Sequence, residues 1–139
     1  MFRLRSAFPT RISASLALAV AGFAAATTIA SAQDVIRFGA PLPITGPLAP
    51  EAVKQQQGYD LWAEQANKAG GINVGGKKYK VEIVYSDYQS NTPRSVQTTE
   101  QMITQDKVNF MFGPFGSGAA KAASTIAGKY QMPMLAATA

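Results

Sequence analysis

A doubly wound α/β sheet is the fold this sequence predicts, on three observations. Runs of β-branched and aromatic residues alternate with stretches of helical periodicity in the order βαβαβαβ, which implies a parallel sheet with right-handed crossovers. Loops rich in glycine and proline follow the first and third strands, at the end of the sheet where such folds take ligands. Ala119, Ala122, Ala123, Ile126, Ala127 and Tyr130 fall at i, i+3, i+4, i+7, i+8 and i+11, an apolar stripe that must be buried on a neighbouring layer.

A segment of another kind precedes the first strand. Met1 to Arg11 carries three arginines and no acid, Ile12 to Ala26 is an apolar run of small residues, and Ala30, Ser31, Ala32 form an A-x-A cleavage site. That is the build of a secretory signal peptide spanning 1–32; Ser13, Ser15 and Gly22 interrupt the run too often for a membrane anchor. Its removal leaves ten basic residues against eight acidic ones, a net charge of +2 instead of the +5 of the whole chain. No run of Lys or Arg interleaved with aromatics remains, so nucleic acid is not an expected partner. Lys77, Lys78 and Lys80 read as the solvated rim of a hairpin. The 139 residues include no Cys and no His, which excludes a disulfide framework, a cysteine-linked lipid and a zinc cluster.

The elements follow in order. Val35 to Ala40 reads as a buried strand that stops at Pro41, and Pro41 to Leu48, with three prolines and Gly46, is a first site loop. Pro50 and Glu51 open a helix that Gly70 and Gly71 close, with Ala52, Tyr59, Trp62, Ala63 and Ala66 inward and Gln55, Gln56 and Gln57 outward. Gly75 and Gly76 turn a hairpin into a second strand, Lys80 to Ser86. After the polar loop Ser86 to Asn91, Asn91 or Thr92 caps a helix with Pro93 in its first turn; it runs to about Gln105 and presents Val96, Thr99, Met102 and Ile103. Val108 to Gly113 is the third strand and Met132 to Leu135 begins a fourth. The chain stops four residues later, which reads as the front part of a longer protein. With strand order 2-1-3-4 the switch point lies between strands one and three, so Pro41 to Leu48 and Pro114 to Gly118 face each other across one crevice.

Gly113 to Gly118 has the spacing of a phosphate loop, but Ala119 and Ala120 stand where Lys and Ser or Thr would have to be. Phe115 and Ala119 likewise replace both glycines of a nucleophile elbow around Ser117. Ser117 has no imidazole base in this segment, and Asp34, Glu51, Asp87 and Asp106 are scattered in sequence, which suits surface roles. Two readings of the loop remain level: hydrogen-bonded capture of a carboxylate at a helix start, or a tight turn with Ser117 as N-cap.

The chain from Val35 to Ala139 resembles the leucine/isoleucine/valine-binding type of periplasmic solute-binding protein of ABC transporters. The resemblance rests on I-R-F-G-A-P-L-P-I-T-G-P-L-A, N-K-A-G-G-I, Y-S-D, F-G-P-F-G-S-G and M-P-M-L-A-A-T-A, in order and at matching spacings. It implies that 33–139 is an incomplete first lobe of a two-lobed α/β protein that closes on a ligand at the hinge. Ser117 would bind the ligand carboxylate, with backbone help near Phe115 and Gly116. The amino group would meet a carbonyl and a hydroxyl past the fourth strand: the carbonyl of Thr138 and a hydroxyl beyond Ala139 in an ungapped register, or Ala136 and Thr138 with a two-residue gap. Glu51 stands near the position of an aromatic side chain common in amino-acid binders, so amides and aromatic acids are ligand candidates beside branched-chain amino acids.

The expected protein is a non-enzymatic, monomeric, periplasmic binding protein without cofactor or metal, whose partners are a small amino acid, amide or carboxylate and the membrane permease. The alternatives are an exported α/β enzyme with catalytic residues beyond Ala139 and the ligand-binding part of a sensor.

Overall fold

The structure, a computed structural model, describes residues 34–137; the proposed signal peptide and Thr138 lie outside them. Five strands and three helices follow one another as β1 (Val35–Leu42), α1 (Ala49–Lys68), β2 (Ile72–Val74), β3 (Lys77–Asp87), α2 (Thr92–Thr104), β4 (Phe110–Phe112), α3 (Ser117–Lys129) and β5 (Met134–Leu135). The sheet order is β2-β3-β1-β4-β5. All neighbours are parallel except β2 with β3, the predicted hairpin. Leaving aside the short β2, this is the order 2-1-3-4.

Alternation along the strands sends side chains to two layers. Phe38, Ala40, Leu42, Val81 and Phe112 pack under Ala52 and Tyr59 of α1. On the other face Met102 of α2 joins Val108 and Met111, with Val84, Met132 and Met134 against them. Gly39 lies on that second face because a Cβ there would sit 2.6 Å from the Met111 sulfur and 3.2 Å from that of Met102. Helices cover both faces, so the sheet is doubly wound.

Several boundaries differ from the sequence reading. β1 continues through Pro41, which pairs with Ser86, to Leu42. The carbonyls of Asp34 and Leu42 face β3, so the nitrogen of Pro41, of opposite parity, faces β4. The ladder to β4 covers only Phe38 and Gly39, and the donor that proline lacks falls past its end. Gln55 is buried, not outward: its amide meets the Tyr59 hydroxyl at 2.5 Å and the Gly113 carbonyl at 3.5 Å. Trp62 is 37% exposed and sits edge-on to Phe38 and Phe112. Ser95, Thr98 and Thr99 line the buried face of α2, each hydroxyl bonding a carbonyl three or four residues back. On α3, Ala120 is buried while Tyr130 is exposed.

Candidate functional site

The ends of β1 and β4 place two loops side by side at the predicted switch point. The β1 loop is fastened to the loop after β3. Thr45 donates to Asp87 through both its hydroxyl, at 2.6 Å, and its N–H, at 3.2 Å, and the Gln89 N–H reaches the same carboxylate at 2.7 Å. Ser90 donates to the Thr45 carbonyl at 2.9 Å and accepts from the Leu48 N–H at 3.1 Å. Burial disfavours the charged Asp87, but the bonds from the Thr45 hydroxyl and from the N–H groups of Gln89, Thr45 and Ile44 outweigh it, holding the carboxyl below its usual value. Asp87, which the sequence suggested was an unpaired surface acid, is thus the post to which two loops are tied. Gly46, at φ 91°, lets them meet: a Cβ there would lie 2.6 Å from the Ser90 hydroxyl oxygen.

The β4 loop is built differently. The Gly113 N–H donates to the Leu135 carbonyl at 2.7 Å, which continues the sheet past β4, and Pro114 is fully buried. The Phe115 carbonyl accepts the Tyr88 hydroxyl at 2.6 Å. Gly116, at φ 90° and ψ 134°, is the N-cap of α3, and Ser117 is the first helical residue. The turn reading with Ser117 as N-cap therefore needs correction: the cap position belongs to Gly116, which has no side chain to close the helix.

Ala120 donates back to the Gly116 carbonyl at 2.9 Å, whereas the N–H groups of Ser117, Gly118 and Ala119 have no backbone acceptor among the described residues. The first turn of α3 holds no acidic side chain. Open N–H groups and the positive end of the helix dipole coincide there, an arrangement suited to an anionic oxygen.

The structure brings together Ser117 and Ala136, which line one shallow depression of about 260 Å³ with Ala120, Lys121, Ser124 and Met134. Ala136 directly follows β5, its Cα 3.2 Å from where a Gly113 Cβ would stand. Phe115 and Gly116 adjoin Ser117 in the loop, while Thr138 is outside the described residues. Among the described residues no three of His, Cys, Asp and Glu converge as metal ligands, and no helix is long and apolar enough to cross a membrane. Sequence reasoning missed Tyr88 and Gln55, which reach the loop from the β3 loop and from α1 respectively; an aromatic inside the polar run Ser86 to Asn91 was the available signal for the first.

Comparison with known proteins assigns the class. The periplasmic binding protein family matches residues 35–139, and the chain belongs to that family. The leucine-, isoleucine-, valine-, threonine-, and alanine-binding protein of Pseudomonas aeruginosa is 32% identical over 110 residues, 79% of this chain and 27% of that protein. The branched-chain amino acid transporter substrate binding protein LivJ of Streptococcus pneumoniae, solved in complex with isoleucine, matches at TM-score 0.69 and 33% identity over 76% of this chain and 29% of its own. A solute binding protein of an ABC transporter from Rhodopseudomonas palustris, solved with 3,4-dihydroxy benzoic acid, matches at TM-score 0.64 and 25% identity over 76% of this chain and 28% of its own. The chain therefore spans a little over a quarter of the length of these relatives. Within that span its fold is that of a branched-chain amino acid type of periplasmic binding protein.

Proposed function

We propose that this chain is the first part of an exported, two-lobed solute-binding protein that holds a small carboxylate at the start of α3 and delivers it to an ABC permease. Residues 1–32 would be the removed leader and 33–139 an incomplete first lobe, with no catalytic chemistry of its own. The observation that carries the reading is the uncapped, acid-free start of α3 at the switch point, where Ser117 is exposed beside open N–H groups. Ser117 donates its hydroxyl to the carboxylate and Gly116 adds its N–H. Ala136 and Thr138 are the residues proposed for the far end of the ligand. The amino acids and the dihydroxybenzoate named for the relatives have a carboxylate in common, which supports assigning that group to the part of the site this chain contains.

The test is calorimetric titration of the complete protein with leucine, isoleucine, valine, threonine, alanine and 3,4-dihydroxybenzoate, and with isoleucinol, which lacks the carboxylate. Saturable binding of at least one acid and none of isoleucinol is expected. Binding of isoleucinol as tightly as isoleucine would reject the carboxylate clamp.

A further inference from the structure

We propose that Tyr88 is a positioning residue for this loop: its hydroxyl holds the Phe115–Gly116 peptide in the orientation that presents the Gly116 N–H to the crevice. The proposal rests on the reading of the loop as a carboxylate clamp.

Tyr88 follows Asp87 at the end of β3 and is only 1% exposed although Asp87, Gln89 and Ser90 around it are polar. Its N–H donates to the Leu42 carbonyl at the end of β1 at 3.0 Å, and its hydroxyl donates to the Phe115 carbonyl past the end of β4 at 2.6 Å. One residue, through its backbone N–H and its side-chain hydroxyl, thereby links the ends of three neighbouring strands, β3, β1 and β4. Burial, and after it the charge of Asp87, push the phenol up to about 12, so it stays a protonated donor through the neutral range.

The 115–116 peptide is trans, and in a trans peptide the carbonyl and the following N–H point in opposite directions. With the Phe115 oxygen turned down onto the buried phenol, the Gly116 N–H is turned away from it, toward the crevice. Among the described residues that N–H meets no acceptor. The orientation also explains the glycine. Gly116 sits at φ 90° and ψ 134°, where a side chain is strained, yet nothing lies within 4 Å of where a Cβ would be. The requirement is for a dihedral angle, not for room. Rotating the peptide to relieve that angle would pull the Phe115 carbonyl off Tyr88 and turn the N–H inward.

Tyr88→Phe keeps the ring and removes the hydrogen bond; Gly116→Ala attacks the same peptide from its other side. Both are compared with the wild type in the complete protein, by the NMR resonances of the Phe115 carbonyl carbon and Gly116 amide and by calorimetry with L-isoleucine and 3,4-dihydroxybenzoate. In Tyr88→Phe the Phe115 carbonyl resonance moves in the ligand-free protein and the Gly116 amide loses its response to ligand. The Kd rises roughly 10- to 100-fold, the scale of one hydrogen bond to a charged group. Gly116→Ala gives the same losses, and the double variant is no worse than either single one. A tyrosine that only fills space predicts an unmoved carbonyl resonance and unchanged Kd in Tyr88→Phe, and that result overturns the proposal. A Gly116 amide that ignores both probes in the wild type overturns instead the carboxylate reading on which the proposal rests.

Discussion

Helices α2 and α3 begin side by side at the same end of the sheet, where a Cβ on Gly118 would lie 3.9 Å from the Thr92 hydroxyl. The first is closed by its own sequence: Asn91, extended at φ −111° and ψ 114°, accepts the Arg94 N–H on its side-chain oxygen at 2.9 Å. The second is left open, with a glycine at the cap, an exposed serine after it and no acid in the first turn. A capped start has met its hydrogen-bond needs inside the fold and contributes stability. An uncapped one forgoes that contribution and keeps its donors for a partner. The same position in two adjacent helices thus serves structure in one and, on the proposed function, binding in the other.

Substitutions can break that comparison. The largest effect is expected from Ser117→Asp, which places a carboxylate where the ligand's would sit. Affinity for isoleucine or 3,4-dihydroxybenzoate should fall by more than about 100-fold in calorimetry, while thermal stability holds or rises because the new acid complements the helix dipole. Ser117→Ala should weaken binding by roughly 1–3 kcal/mol, with little change in melting temperature. Asn91→Ala should do the reverse, costing about 1 kcal/mol in chemical denaturation and leaving affinity unchanged. If the two alanine variants behaved alike in both measurements, the contrast between the helix starts would be without consequence.

The smallest effect concerns the loops beside these starts. Asp87 has a lowered pKa, so its contribution to stability is complete above its unfolded value of about 4 and is lost as pH falls through the lower folded value. Denaturation followed between about pH 5 and pH 2 should show a shallower loss in Asp87→Asn than in the wild type.

Much of this was legible from residue types. The alternation of strands and helices, the hairpin at Gly75 and Gly76, the cap at Asn91 and the strand order that sets β1 beside β4 follow from residue types and their order, which the structure follows too. What escaped depended on partners distant in sequence. Pro41 ends a strand only if its nitrogen faces a neighbour, and here the β4 ladder has already stopped. Gln55 looks like one of three exposed glutamines until the Gly113 carbonyl and Tyr59 give its amide partners. Tyr88 finds its hydrogen-bond partner only once the end of β3 lies two strands from Phe115. At the site, Gly116 and Ser117 could be singled out in advance; which of them caps the helix depended on a dihedral angle that no spacing encodes.

Trp62, the one tryptophan of this chain, meets Phe112 edge-on at 5.8 Å between ring centres, and Phe112 is joined directly to Gly113, where the proposed clamp loop starts. The indole is part in solvent and part against the aromatic rings under that loop. Its fluorescence is therefore a built-in optical gauge: a shift in emission on ligand addition would register loop ordering without any attached dye.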